Sequence, residues 1–204
     1  MARSTPFALT GLTSLWLAMV VVGGPGAGVD LALLSALYAE GGTLARAASV
    51  LTELGGYLIL ILAAAAAALF LAWSKAPRRV LLLIAIVGGG RWLVEIQKSA
   101  FGRARPDPEG HLVAVHSMSF PSGHAANSMI TWLAIALIVA PLLGGARLRT
   151  AAILSALALS LLIGASRVVL GVHWPSDVIG GWAFGLAWTL GLLHLFERAA
   201  DPRS

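Results

Sequence analysis

The sequence predicts an all-α integral membrane bundle of about six transmembrane helices, with short interfacial helices after the first span. Three observations lead there. Hydrophobic residues make up 58% of the 204 and charged residues only 11%, where a soluble domain is nearer a quarter charged. Mean hydropathy is +0.87. The apolar residues also gather into runs near the ~20 residues that a helix needs to cross the hydrocarbon, and helices satisfy their own backbone in lipid. The length suits one compact domain over residues 1–204.

The elements follow in order. Phe7–Val22 is an apolar run after Arg3. Its small, turn-forming sequel Gly23-Gly24-Pro25-Gly26-Ala27 is compatible with a cleaved signal peptide. No strong Ala-x-Ala site stands out, so an uncleaved first span is the preferred reading. Val29–Leu54 mixes Leu31, Leu33, Leu34, Leu37 and Tyr38 with Asp30, Glu40, Arg46 and Glu53. That much charge disfavours a crossing. The segment reads equally as short helices in the interface plane or as a tight surface cap. Gly56–Trp73, Val80–Lys98, His124–Leu143, Ala151–Arg167 or a little beyond, and Val178–Phe196 are the second to sixth spans. The Ala63–Ala68 run reads as close helix packing. Loops are expected at 74–79, 99–121, 144–149 and 171–177.

Basic residues distinguish the two faces. Arg3, Lys75, Arg78, Arg79, Arg147, Arg149, Arg198 and Arg203 fall on one side with both termini. The positive-inside rule makes that side cytoplasmic. The 99–121 and 171–177 segments then face outward, with Arg46, Lys98, Arg103, Arg105 and Arg167. The formal net charge of +5 suits anionic headgroups or a phosphate-bearing ligand. Nucleic acid is not an expected partner, because no exposed aromatic and basic face is present. Cysteine is absent, which excludes disulfides and thiolate metal sites.

Three polar groups fall at the outward face. They are Lys98-Ser-Ala-Phe-Gly-Arg-Ala-Arg105-Pro106, then Pro121-Ser122-Gly123-His124, then Ser166-Arg167 followed by His173 and Asp177. Ionisable groups inside a membrane protein signal function. Alternating spans bring all three groups to one surface. Lys98, Arg105 and Arg167 are donors without acceptors, and guanidinium forks match phosphate oxygens. Ser122 and Gly123 open a helix whose unpaired N–H groups favour an anion. His124, in the first turn, can donate a proton to a leaving oxygen. Pro175 between His173 and Asp177 fits a first helical turn. Asp177 can then accept the second imidazole N–H of His173, as the Asp of a hydrolytic triad does, and leave His173 free to attack phosphorus.

These residues resemble the signature of the type 2 phosphatidic acid phosphatases, a family that also covers vanadium-dependent haloperoxidases and bacterial acid phosphatases. The family pattern is Lys, six residues, Arg-Pro; then Pro-Ser-Gly-His; then Ser-Arg, five residues, His, three residues, Asp. Every position is filled here, from the third span through the sixth. The resemblance implies His173 as nucleophile, His124 as general acid, and Lys98, Arg105, Ser122, Gly123 and Arg167 as phosphate binders. It further implies catalysis without metal or cofactor, a six-helix core, and a bacterial inner-membrane location. The size and short loops look like bacterial lipid phosphatases acting on phosphatidylglycerol phosphate, undecaprenyl pyrophosphate or phosphatidic acid. A phosphotransferase using the same intermediate and a non-enzymatic transporter are the rival readings.

Other polar residues carry blander expectations. Arg91 and Glu95 are spaced as an i,i+4 pair that could position Lys98. Arg103 touches a second phosphate or lies in solvent. Asn127 and Ser128 bond between helices. His111 and His116 are loop residues near the headgroup, and a metal at the histidines is not expected beside so many cations. Trp174 could wall the pocket, while the other tryptophans read as anchors or packing.

Overall fold

The computed structural model describes residues 5–200; Arg3 and Arg203, which entered the charge pattern, lie outside the described residues. The helices are α1 (Thr5–Val22), α2 (Gly28–Leu37), α3 (Gly42–Glu53), α4 (Tyr57–Trp73), α5 (Pro77–Phe101), α6 (Gly123–Leu143), α7 (Ala146–Val169) and α8 (Pro175–Ala200). Six helical segments among the described residues are long and apolar enough to cross a bilayer. The chain is a multi-pass membrane protein of the all-helical class its sequence predicts.

Local chemistry sets the boundaries. Pro77 occupies the first turn of α5, where its missing N–H is no loss. Gly102 ends that helix in the left-handed conformation, donating to Lys98 O as a C-terminal glycine does. Ser122 caps α6 through its side chain. Residues 144–149, expected as a loop, are mostly helix: Gly144 and Gly145 make the turn, and Arg147 and Arg149 belong to the first turn of α7. The 29–54 stretch is two short helices. α3 packs on α7, and α2 touches α7 and α8, so the segment also works as a cap.

The centre is α6, which packs against α4, α5, α7 and α8. Its apolar window is 61% buried against 6% for α1. Ile130 and Ala134 of α6 meet Leu71, Leu83, Ile86 and Leu193. Lipid is as apolar as leucine, so close approach matters more here than removal from solvent. Gly181 and Gly185 of α8 serve that end: a Cβ on either would stand 2.9 Å from Ser122 O or Ala126 O of the neighbouring segment. The alanine run contributes only one face. Ala67 is buried, whereas Ala65 and Ala66 look outward. α1 runs along α8, which makes it an integrated part of the bundle.

Antiparallel alternation brings the end of α5, the start of α6, the end of α7 and the start of α8 together. Backbone bonds join them: Ser119 N to Arg103 O at 2.8 Å, Ser122 N to Asp177 O at 3.0 Å, and Leu112 N to Leu170 O at 3.1 Å. The turn between α7 and α8 depends on Gly171. Its φ is +72°, and a Cβ there would lie 2.6 Å from Gly110 O and 2.9 Å from the Tyr38 ring. Gly171→Ala should therefore cost about 1–2 kcal/mol or more from left-handed strain alone, seen as a lower melting temperature in detergent; an unchanged melt would refute this role of the turn.

Candidate active site

The site is built from four helix tips. The end of α5 supplies Lys98, and the segment after it supplies Arg105. The start of α6 supplies Gly123 and His124. The end of α7 supplies Arg167, and the turn before α8 supplies His173. All six line one cavity of about 250 Å³. Separation in sequence is removed by the alternation of the spans.

His173 is the most deeply buried of the six. It is 2% exposed. Arg105 Nη1 lies 3.1 Å from its Nε2, and Nδ1 faces Asp177 Oδ2 at 3.4 Å. A guanidinium can only donate, so Nε2 must be the acceptor and the ring proton must sit on Nδ1, toward the carboxylate. The reactive lone pair therefore points into the cation cluster. Burial, and then the nearby charges of Arg105, Lys98 and Arg167, hold the His173 pKa well below its ordinary 6.5. The ring is neutral at physiological pH. Burial likewise lowers the Arg105 pKa, partly opposed by Asp177.

The cations are fixed by neutral acceptors. Lys98 Nζ donates to Met118 O at 2.6 Å. Arg105 donates to Ser117 O at 2.7 Å and Val172 O at 2.6 Å. Arg167 Nη1 donates to Thr52 Oγ1 at 2.9 Å, while its Nε is buried without a partner. An unpaired buried donor of a charged group is costly. Three such cations around a neutral imidazole make a receptor for an anion with several oxygens.

The residues that hold this set in place were mostly invisible in the sequence. Asp177, fully buried, sits behind His173. Its Oδ1 accepts from Arg103 Nη1 at 2.9 Å. Its Oδ2 accepts from Ser119 Oγ and from Trp174 N at 3.0 Å. Arg103 was expected on a second phosphate or in solvent. Instead it donates to Ser176 Oγ, Asp177, Met19 O and Val20 O and lies 4.3 Å over the Phe120 ring. Asp30, also buried, accepts from Gly24 N, Ser176 N and Ser176 Oγ. Arg103 thus couples α1 to the aspartate behind His173.

Several expectations need correction. Ser122 is fully buried, and its hydroxyl accepts from Ala125 N at 3.5 Å as a helix cap; the hydroxyl is not part of the cavity wall. Asn127 does line the cavity, and its Oδ1 is buried without a partner. Ser128 bonds its own helix at His124 O. Neither residue bridges two helices. Arg91 does not pair with Glu95 but stacks 4.0 Å over Tyr57. Trp174 is not in the wall; its indole donates to Ala104 O at 2.9 Å and anchors the strand of chain before Arg105. His116 lines the cavity, whereas His111 bonds Pro106 O. Trp16, Trp182 and Trp188 donate to Gln97, Ser160 O and Ile86 O respectively, so they pack inside the bundle.

The PAP2 superfamily model matches residues 79–201. Phosphatidylglycerophosphatase B of Bacillus subtilis is 35% identical over 124 residues, 60% of this chain and 58% of that protein. A lipid A 1-phosphatase of Rhizobium johnstonii is 35% identical over 140 residues, 64% of this chain and 51% of that protein. The chain thus spans somewhat over half the length of these relatives. A crystal structure described as the first transmembrane PAP2 type phosphatidylglycerolphosphate phosphatase, from Bacillus subtilis, matches with a TM-score of 0.87 and 26% identity, covering 97% of this chain and 100% of that one.

The depressed His173 pKa gives a pH prediction. A base whose folded value lies below its unfolded value gains its proton on unfolding, so this group weakens the fold as pH drops through 6.5. In the free chain the His173 ring should show no titration midpoint near the ordinary 6.5 by NMR of labelled histidine. A midpoint near the ordinary value would contradict the buried, cation-ringed environment.

Proposed function

The chain belongs to the PAP2 superfamily, and from that membership we propose that it is a membrane phosphatase that hydrolyses a lipid phosphomonoester or pyrophosphate through a phospho-histidine. The observation that carries this is the contact of Arg105 with His173 Nε2 inside a cavity shared with Lys98, Arg167 and His124. A neutral nitrogen nucleophile and three fixed cations converge on one small volume. The names of the two curated relatives and of the matched structure, all lipid phosphatases, favour a lipid phosphate as substrate and phosphatidylglycerol phosphate as the leading choice.

The steps follow from the geometry. A phosphate oxygen takes over the N–H that Arg105 offers Nε2, and the lone pair is freed. Nε2 attacks phosphorus, and the bond from phosphorus to the leaving oxygen breaks. His124 supplies a proton to that oxygen. Lys98, Arg105 and Arg167 meet the charge on the equatorial oxygens, with the N–H of Gly123 at the opening of α6 as a further donor. The positive ring is stabilised through Nδ1–H by Asp177. His124 then takes a proton from water, water oxygen bonds phosphorus, and the N–P bond breaks to release phosphate. No metal is required by this scheme.

The whole chain acts as one membrane-embedded unit, since α1, α2 and α3 each contribute contacts behind the site. It lies in a bacterial cytoplasmic membrane with its termini inside and the cavity outside. Lys75, Arg78, Arg79, Arg147, Arg149 and Arg198 at the opposite end support that orientation. The headgroup meets His173 at the outer surface while the tail stays in lipid.

One experiment tests chemistry and orientation together. Sealed right-side-out vesicles carrying the chain are given an impermeant short-chain lipid phosphate. Phosphate should be released without permeabilisation, and His173→Ala should lose essentially all of it, while loss of one cation such as Arg167→Ala should cost about a hundredfold or more. Turnover retained in His173→Ala would refute the mechanism. Release only after permeabilisation would refute the orientation.

A further inference from the structure

The cavity does not end at the phosphate cradle. It continues along α5 to Glu95 and Arg91 and across to Tyr57 at the start of α4. Lys98, Glu95 and Arg91 stand three and seven residues apart on one helix, hence on one face. At about 1.5 Å of rise per residue, Arg91 lies ~10 Å from Lys98, farther from the outer end of α5 and nearer the bilayer interior. The Arg91 guanidinium is held 4.0 Å over the Tyr57 ring, so it is aimed without being neutralised by Glu95. The helix therefore presents a fixed order of charge to any lipid in the cavity: cation at the cradle, carboxylate next, cation nearest the tail.

We propose that this arm is a second headgroup subsite, selecting lipids whose terminal phosphomonoester is joined through a hydroxyl-bearing linker to a second phosphate nearer the tails. The inference rests on the phosphatase reading of the same cavity. With the terminal phosphorus at His173, a lipid whose tail stays in the bilayer must run inward along α5. Glu95, which when ionised can only accept, takes the hydrogen of the linker hydroxyl. Arg91 takes the inner phosphodiester with a charge-assisted bond. A lipid with one phosphate leaves Arg91 unused. A lipid pyrophosphate, whose two phosphates adjoin, offers Glu95 no hydrogen and sets an anion against it. The order cation, carboxylate, cation thus discriminates by sequence of groups rather than by total charge.

The test is a ratio, so that misfolded protein cancels. With the purified full chain in lipid vesicles, kcat/KM is measured on phosphatidylglycerol phosphate and on phosphatidic acid. Arg91→Ala should lower the first relative to the second by about tenfold or more, the usual loss of a bond to a charged group. Arg91→Lys should retain part of the preference, and Glu95→Gln should lower it by a few-fold. A ratio unchanged in Arg91→Ala overturns the subsite, while the phosphatase reading stands because both lipids are still cleaved. Failure of the unmodified chain to release phosphate from either lipid overturns that reading and the subsite with it.

Discussion

Three cations share one small cavity with an imidazole, and the fold does not neutralise them internally. Lys98, Arg105 and Arg167 each spend their donors on carbonyl or hydroxyl oxygens, not on carboxylates. Asp177, behind His173, is turned the other way and paired with Arg103, and Glu95, which lines the same cavity, forms no ion pair with the three cations. That separation is the constraint behind the rest of the structure. An acid paired with these cations would satisfy them and leave nothing for a phosphate to do. Kept apart, the charges repel one another and, after burial, depress protonation of His173, as the proposed mechanism requires of its nitrogen. In the proposed reaction a bound phosphate relieves the repulsion, and the charge that grows during its transfer relieves it further.

Keeping like charges together in a membrane protein requires scaffolding on the far side. The scaffolding here is a chain of buried polar contacts. Asp30 on α2 holds Ser176 at the opening of α8. Ser176 and Asp177 hold Arg103, and Arg103 in turn grips the end of α1 at Met19 and Val20. Ser119 closes the loop onto the same carboxylate. Thr52 on α3 fixes Arg167 from another direction. The peripheral helices therefore matter to the site although they lie outside the three-part signature. Because the links are buried or partly buried, removing one leaves its partner unsatisfied, and such networks behave as units more than as sums of pairs.

Much of this was legible in the sequence. Spans could be read because lipid demands long apolar runs, and the site residues because charge is scarce and their spacing is specific. What could not be read was tertiary. Arg103 looks in sequence like one more cation beside Arg105, and only the fold shows it facing the opposite way. Ser119 and Thr52 are ordinary polar residues until a neighbour two or more helices away reaches them. Ser122 stands at a helix start, which suits both a phosphate ligand and a cap, and only the fold shows its hydroxyl accepting from Ala125 N. Arg91 and Glu95 have the right spacing for a pair, yet the nearby face of Tyr57 gave Arg91 a different partner. The short turn at Gly144 and Gly145 was overestimated because its basic neighbours look like loop residues.

The most direct measurement is covalent trapping during turnover. The full chain is mixed with a lipid carrying a labelled terminal phosphate, quenched with alkali within milliseconds, and mapped by mass spectrometry. The geometry predicts an acid-labile phosphoryl group on His173 and nowhere else, formed faster than phosphate appears in solution. Label on His124, or sustained turnover with no phosphoryl-enzyme at any quench time, would contradict it.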